Sequence, residues 1–348
     1  MTLPIVIGHR GASGYVPEHT LASYFLAMQY GADFVEPDLV MTADGALIAR
    51  HENEIGGTTD VAAHEEFRSR RTTRHIDGVS VEGWFTEDFT LAELKRLRAR
   101  ERIPQLRPAN TRFDGQFEIP TLEEIILLVQ GVEAMRAARA QALGRPPPAR
   151  IGIYPETKHP SYFATRGLAM EQPLVQLLAR HGYEGPAAAI WLQSFEVGNL
   201  RALAAMTQLP RVQLIEAEGA PYDFTAAGDA RGYRDLITPA GLAGIAAYAQ
   251  AIGPNKSMII PRTAGEQLGA PTRLVADAHQ AGLKVHPWTF RAENHFLPAA
   301  QRSGALASER GDLAAELLSF LRLGIDGFFT DQPDIGVAVR DAFLAEQP

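Results

Sequence analysis

Apolar residues fall along this chain in short runs, and most runs end on polar or ionisable residues. Residues 3–7 are apolar apart from one proline, and Gly8-His9-Arg10-Gly11-Ala12-Ser13 follows at once. Residues 34–40 form a second run, with Glu36 and Asp38 at alternate positions. Side chains alternate across a strand, so Phe34, Glu36 and Asp38 share one face. Between the runs, Leu21, Tyr24, Phe25 and Met28 recur at helical spacing, and Gly31 closes the helix. This is a strand–helix–strand unit, the building block of a parallel sheet. Thr42-Ala43-Asp44-Gly45 has hairpin-turn composition, and residues 45–49 run back towards His51. Folding about residue 44 sets His51 opposite residues 37–38, roughly one strand spacing of ~5 Å away.

The alternation resumes after residue 119. Thr121, with Glu124 three residues on, predicts a capped helix from Leu122 to about Leu143, stopped by Arg145-Pro146-Pro147-Pro148. Strands are predicted at 150–158, 187–193, 211–215, 251–254, 282–288 and 325–330. Helices are predicted at 171–181, 196–206, 239–249, 271–281, 313–323 and 334–344. With the first two runs this makes eight strands, the arithmetic of an α/β (β/α)8 TIM barrel. The rival is an open doubly wound sheet. No G-x-G-x-x-G follows the first strand, and the ionisable residues are spread over several strand ends, which a barrel gathers at one mouth. Residues 52–119 read differently, with little periodicity beyond Leu91, Leu94 and Leu97 behind Thr90 and Glu93. They are expected to form a small inserted subdomain after the first β-hairpin. It would border the site's mouth, within a single domain over 1–348.

Composition narrows the function. The chain has 348 residues, is 46% hydrophobic and carries a formal net charge of −8. No basic stripe runs along it, so nucleic acid is excluded as the expected partner. The absence of cysteine excludes disulfides, thiolate ligands and a cysteine nucleophile. No run is long enough for a transmembrane segment, no P-loop supports nucleoside triphosphate chemistry, and the first residues carry no signal peptide. The oligomeric state is not encoded in any of these features.

The chemistry sits at the run ends. Two carboxylates on one apolar face repel unless a cation or proton lies between them, and a hard divalent cation is the simplest answer. The rival reading is two exposed carboxylates on an edge strand, which the flanking Phe34, Val35, Leu39 and Val40 argue against. Glu156 and Lys158 repeat the arrangement at a later strand end, as a third carboxylate ligand and an anion binder, or as a simple ion pair. Arg10 is placed for an oxyanion. His9 and His51 suit general acid–base work. Trp288 either walls the pocket or fills core. His19, at a helix start, is expected to be structural or supporting, and Asp331 to close the last strand. Together these groups serve phosphoryl-ester cleavage.

At these residues the chain resembles the glycerophosphodiester phosphodiesterases, most closely the bacterial GlpQ-like type. The resemblance rests on His9-Arg10-Gly11-Ala12-Ser13-Gly14 through Pro17-Glu18-His19-Thr20, on Glu36-Pro37-Asp38, and on Thr42-Ala43-Asp44-Gly45 to His51. Tyr154-Pro155-Glu156-Thr157-Lys158, Leu192-Gln193-Ser194-Phe195, His286-Pro287-Trp288-Thr289 and Asp326-Gly327-Phe328-Phe329-Thr330-Asp331 extend it. It implies hydrolysis of glycerophosphodiesters to glycerol 3-phosphate and an alcohol through a cyclic phosphate. It implies His9 and His51 as the acid–base pair and Glu36, Asp38 and Glu156 as ligands of one divalent cation, calcium before magnesium. Arg10 and Lys158 become the phosphate binders. It also implies a periplasmic location if a signal has been removed, and a cytoplasmic one otherwise. Two rivals are a sphingomyelinase D-like phospholipase and a non-catalytic phosphate-ligand binding barrel. The first lacks an evident amphipathic basic helix, and the full set of histidines and carboxylates argues against the second.

Overall fold

The computed structural model describes residues 3–346. Strand β1 (Ile5–His9) leads through a loop to a helix, Leu21–Gln29, capped by Thr20, whose hydroxyl accepts the Ser23 N–H. The chain then enters β2 (Phe34–Glu36) and β3 (Asp38–Met41), one run divided by Pro37. β4 (Leu47–Ala49) returns antiparallel to β3, with Leu39 facing Ala49. Gly45, at φ +80°, makes the turn that the sequence predicts.

Residues 52–119 are more ordered than their composition suggests. β5 (Thr72–Ile76) and β6 (Val79–Gly83) form a separate antiparallel hairpin. Its turn residues Asp77 and Gly78 have φ of +49° and +83°, the two positive values that a two-residue turn requires. The Asp-Gly pair was a readable signal for it. Phe67, Phe85 and Phe89 form a small buried aromatic group, with the Arg70 guanidinium over two of its rings.

The long helix Leu122–Ala142 begins in the predicted capping box of Thr121 and Glu124. β7 (Gly152–Ile153) and β8 (Glu156–Thr157) follow, divided by Tyr154-Pro155. The remaining strands are β9 (Leu192–Ser194), β10 (Arg211–Ile215), β11 (Ala251–Pro254), β12 (Lys284–Val285) and β13 (Gly327–Thr330). Helices alternate with them at Glu171–Arg180, Val197–Met206, Pro239–Ala246, Leu274–Gln280, Leu313–Leu321 and Pro333–Ala345. β9 starts later than predicted because Ala187-Ala188-Ala189 has little strand preference. Short helices at Pro160–Thr165, Tyr222–Ala227 and Tyr233–Leu236 were not predicted. Each is too brief to show a helical period.

The result is an α/β fold of alternating strands and helices. One sheet runs β13-β1-β2-β7, and the other runs β12-β11-β10-β9-β8-β3-β4. Hydrogen bonds from Tyr154 N–H to the Val35 carbonyl, Glu156 to Pro37 and Lys158 to Leu39 (2.9, 2.9 and 3.0 Å) join them past the two prolines. Proline has no N–H, but its carbonyl still accepts. On its other side, the β13 segment donates from Asp326 N–H to Val285 O and from Phe329 N–H to Pro287 O (2.9 and 3.1 Å). Ile7, Tyr154, Val212, Ala251 and Phe329 meet in an inner apolar cluster, and a larger cluster fills the space between strands and helices. Among the described residues no helix is long and apolar enough to cross a membrane.

The turn after β1 depends on a glycine. Gly11 has φ +90°, and a Cβ there would lie 2.6 Å from the Ser23 carbonyl carbon and 2.8 Å from its Cβ. Gly11→Ala combines left-handed strain with overpacking and should destabilise by about 2–4 kcal/mol. Denaturant unfolding of the two proteins measures this, and equal midpoints would refute it.

Candidate active site

Strand register sets the first row of side chains. β1 pairs with β2 so that His9 lies beside Glu36, and β3 pairs with β8 so that Asp38 lies beside Glu156. β8 pairs with β9 at Glu156 and Gln193. Glu36, Asp38 and Glu156 are all buried, and one ligand atom from each lies within 4.8 Å of the others. His51 arrives from the hairpin beyond β4. The eight residues singled out in the sequence, His9, Arg10, Glu36, Asp38, His51, Glu156, Lys158 and Trp288, line one cavity of about 320 Å³.

Arg10 is fastened from several sides. Its N–H donates to Glu36 Oε2 (2.8 Å), its Nη1 to Glu18 Oε2 (2.9 Å), and its Nε lies 3.3 Å from Asp38 Oδ2. Arg10 and His19 both have positive φ, +57° and +53°, and the His19 N–H donates to the Arg10 carbonyl (3.1 Å). Such backbone costs about 1–3 kcal/mol per residue and persists only where surrounding contacts impose it. Arg50, buried beneath, contributes by donating to the carbonyls of His19 (2.9 Å) and Glu18 (3.3 Å). His19 is buried between Asp38 Oδ2 (2.9 Å) and the Tyr24 hydroxyl (2.7 Å), in the supporting position expected of it.

Each cavity histidine has a carboxylate behind it. His9 Nδ1 lies 2.6 Å from Asp331 Oδ1, and His51 Nδ1 lies 2.5 Å from Glu52 Oε1. His51 Nε2 is 3.3 Å from Lys158 Nζ, and Lys158 also reaches Glu156 Oε1 at 2.8 Å. A carboxylate on Nδ1 holds the proton there and leaves Nε2 as the working nitrogen. Burial, then Arg10, lowers His9 to about 4 against the opposing pull of Asp331. Burial, then Arg10 and Lys158, lowers His51 to about 3. Both imidazoles are therefore neutral near pH 7 in this arrangement.

The carboxylates carry the opposite stress. Burial, then Asp38 and Glu156, pushes Glu36 well above the ordinary range. Burial, with Asp38 adding to it and Lys158 opposing, raises Glu156 to about 8. Burial would raise Asp38 too, but Lys158, His51, His19 and Arg10 hold it well below. Three acids that cannot all ionise unaided are a fitting donor set for an oxygen-coordinated hard cation. The Gln193 amide donates to Glu36 Oε1 (2.9 Å), and its own oxygen is buried without a partner.

Asp331 corrects a reading from sequence. It does more than close the last strand: it holds His9, and it accepts from Arg107 Nη2 (2.5 Å) and Arg291 Nε (2.8 Å). β1 and β13 pair in parallel with Gly8 beside Thr330, so His9 at the end of β1 and Asp331 just after β13 come out side by side. Arg102 and Arg107 were missed altogether. Neither they nor any other residue of 52–119 lines the 320 Å³ cavity, yet both hold carboxylates that bond to the lining residues His9, Arg10 and His51. Arg102 bridges Glu18 and Glu52, each at 2.7 Å, and Arg107 bridges Asp331 and Glu293, the latter at 2.6 Å.

The profile of the glycerophosphoryl diester phosphodiesterase family matches residues 9–335. The chain belongs to that family. It is 35% identical over 341 residues to a glycerophosphodiester phosphodiesterase of Arabidopsis thaliana, spanning 94% of this chain and 83% of the relative. It is 30% identical to one from Haemophilus influenzae, over 96% of this chain and 88% of that protein. Its fold is similar to that of an Oleispira antarctica phosphodiesterase solved with the product sn-glycerol-3-phosphate. There the TM-score is 0.62 at 21% identity, covering 97% of each chain. This phosphodiesterase is thus an enzyme of the glycerophosphodiester-hydrolysing type. Plant and bacterial relatives match it alike.

Asp331→Asn keeps the size of the group and removes its charge. The variant should fold, keep KM within a few-fold and lose about 10²-fold or more in kcat, because His9 loses the partner that fixes its tautomer. Steady-state kinetics with a circular-dichroism check decides this; an unchanged kcat would remove Asp331 from the positioning of His9.

Proposed function

We propose that this phosphodiesterase hydrolyses glycerophosphodiesters, such as glycerophosphocholine or glycerophosphoethanolamine, to glycerol 3-phosphate and the free alcohol, using one divalent cation. The observation that carries this reading is the trio of buried carboxylates within 4.8 Å, flanked in one cavity by two imidazoles and two cationic side chains. We read the strand pairings as a closed eight-stranded (β/α)8 barrel, with residues 52–119 inserted at its mouth in one domain. Closure would explain why groups from distant strands converge on one opening.

Glu36, Asp38 and Glu156 would hold the cation, calcium by preference and magnesium otherwise. When bound, it polarises a phosphoryl oxygen and offsets developing charge. Arg10 and Lys158 bind the non-bridging oxygens, and Trp288 walls the glycerol side. The base imidazole takes the proton of the glycerol 2-hydroxyl as that oxygen bonds to phosphorus. The bond from phosphorus to the alcohol oxygen breaks, and the acid imidazole, which takes up a second proton on Nε2 once the anionic phosphodiester is bound beside it, gives that proton to the oxygen. Water then attacks the cyclic phosphate, the ring bond to the 2-oxygen breaks, and the two histidines exchange tasks. His51 is assigned as the acid of the first step because its Nε2 stands 3.3 Å from Lys158 Nζ, on the hairpin beside the 52–119 stretch expected to border the departing alcohol.

Two outcomes test this. Complete chelation should abolish glycerol 3-phosphate release, calcium or magnesium should restore it, and Asp38→Ala should sharply weaken metal binding. Full turnover in excess chelator with no residual metal would remove the cation from the reading. The histidines separate by leaving group. His51→Ala should lose about 10²–10⁴-fold on glycerophosphocholine and much less on a nitrophenyl analogue, whose phenolate needs little protonation. His9→Ala should lose on both. Equal losses for both variants on both substrates would contradict the division of labour.

A further inference from the structure

A second cavity, of about 260 Å³, adjoins the first, and Glu156, Lys158 and Phe195 line both. Its remaining wall includes Asp77, Glu196, Tyr222 and Tyr233. Phe195 stands edge-on to Tyr233 on this side (6.1 Å between ring centroids) and to Trp288 on the other (5.8 Å), so one aromatic wall runs through both cavities.

The charges of this second cavity are unbalanced. Lys158 is already engaged with Glu156 at 2.8 Å, and His159 Nδ1 with Asp77 Oδ2 at 2.6 Å. Glu196 is 4% exposed, and its carboxylate is bonded only to the Ser161 N–H (3.3 Å) and hydroxyl. Among the described residues no cationic side chain pairs with it. Burial, against the Ser161 hydrogen bonds and with Asp223 and Asp77 adding to it, raises its carboxyl to about 7. Tyr233 is 7% exposed, and among the described residues its hydroxyl has no hydrogen-bond partner. Asp77 Oδ1 is likewise buried without one. A buried carboxylate without a cation and polar atoms without partners, on the wall of an open cavity, are groups awaiting a ligand.

We propose that this cavity is the subsite for the departing alcohol and that it selects an alcohol bearing an ammonium group, through Glu196, Tyr233 and Asp77. The inference rests on the hydrolytic reading above and deepens it. An ammonium placed here gives Glu196 its missing counter-charge and meets the electron-rich rings of Tyr222 and Tyr233. An uncharged alcohol of the same shape leaves the carboxylate uncompensated. The cavity opens on the Lys158 side of the site, where His51 stands, so the oxygen leaving towards it is the one His51 would protonate.

The test compares glycerophosphocholine with the 3,3-dimethylbutyl ester of glycerol 3-phosphate, in which carbon replaces the charged nitrogen. Metal-saturated enzyme is assayed for glycerol 3-phosphate release. Wild type should favour the choline ester by about tenfold in kcat/KM. Glu196→Gln should bring that ratio to about twofold or less, and Asp77→Asn should lower it part-way. Choline should also compete better than 3,3-dimethylbutanol against wild type, a measurement that stands if Glu196→Gln does not fold. Equal use of the two esters by wild type, or an unchanged ratio in both folded variants, would overturn the subsite and leave the hydrolytic reading intact. Release from neither ester would overturn the hydrolytic reading, and the subsite with it.

Discussion

Mutual repulsion among Glu36, Asp38 and Glu156 is the constraint around which the molecule is arranged. Their ligand atoms close to within 4.8 Å in a buried position. Two like charges near 4 Å repel by about 4 kcal/mol at an effective dielectric of 20. The surrounding residues answer that stress one by one. Arg10 gives its N–H to Glu36 and its guanidinium to Asp38, His19 donates to Asp38, Lys158 pairs with Glu156, and the Gln193 amide reaches Glu36. Glu36 and Glu156 remain raised even so, and that unbalanced remainder is what a divalent cation would take up.

A second rank of charge holds the first in place. Asp331 and Glu52 orient the two histidines, and each is held by an arginine from the stretch after the first hairpin: Arg107 on Asp331, Arg102 on Glu52. The Arg107–Asp331 pair is buried, and removing one member of such a pair leaves its partner uncompensated, typically at about 3–5 kcal/mol. Residues 52–119 therefore bear on the chemistry without lining the cavity. Backbone N–H bonds within this stretch fix where these arginines stand: Arg100 N–H to Thr58 O, Glu101 N–H to Asp114 Oδ1 and Arg107 N–H to Ile103 O. Arg50 acts similarly on the backbone, satisfying carbonyls of the strained 18–19 turn from below.

Local pattern carried much of this structure. The strands at Arg211–Ile215 and Ala251–Pro254 and the capped helix from Leu122 form where apolar period and capping residues place them. The hairpin turn at Gly45 and the row Glu36-Pro37-Asp38 are equally local, since a period of two and a turn residue need no distant partner. Where the pattern was weak, the chain decided otherwise. The alanine-rich entry to β9 stays outside the strand, and Tyr222–Ala227 and Tyr233–Leu236 are helices too short to show a period.

The sequence by itself determined the residue types of the site and their positions at strand ends, because alternation and turn chemistry act within a few residues. It determined that His9, His51 and three carboxylates could share one opening, because parallel units stack their strand ends together. Only the tertiary structure decided which groups stand behind them. Arg107 is 224 residues from Asp331, and Arg102 is 84 from Glu18. No local period encodes a contact at that range; it exists because β1 pairs with β13 on one side and β2 on the other, which brings both ends of the chain together. The same holds for the cavity beside Lys158, where Asp77 of a remote hairpin meets His159. Its character depends on packing between segments whose sequences show nothing of each other.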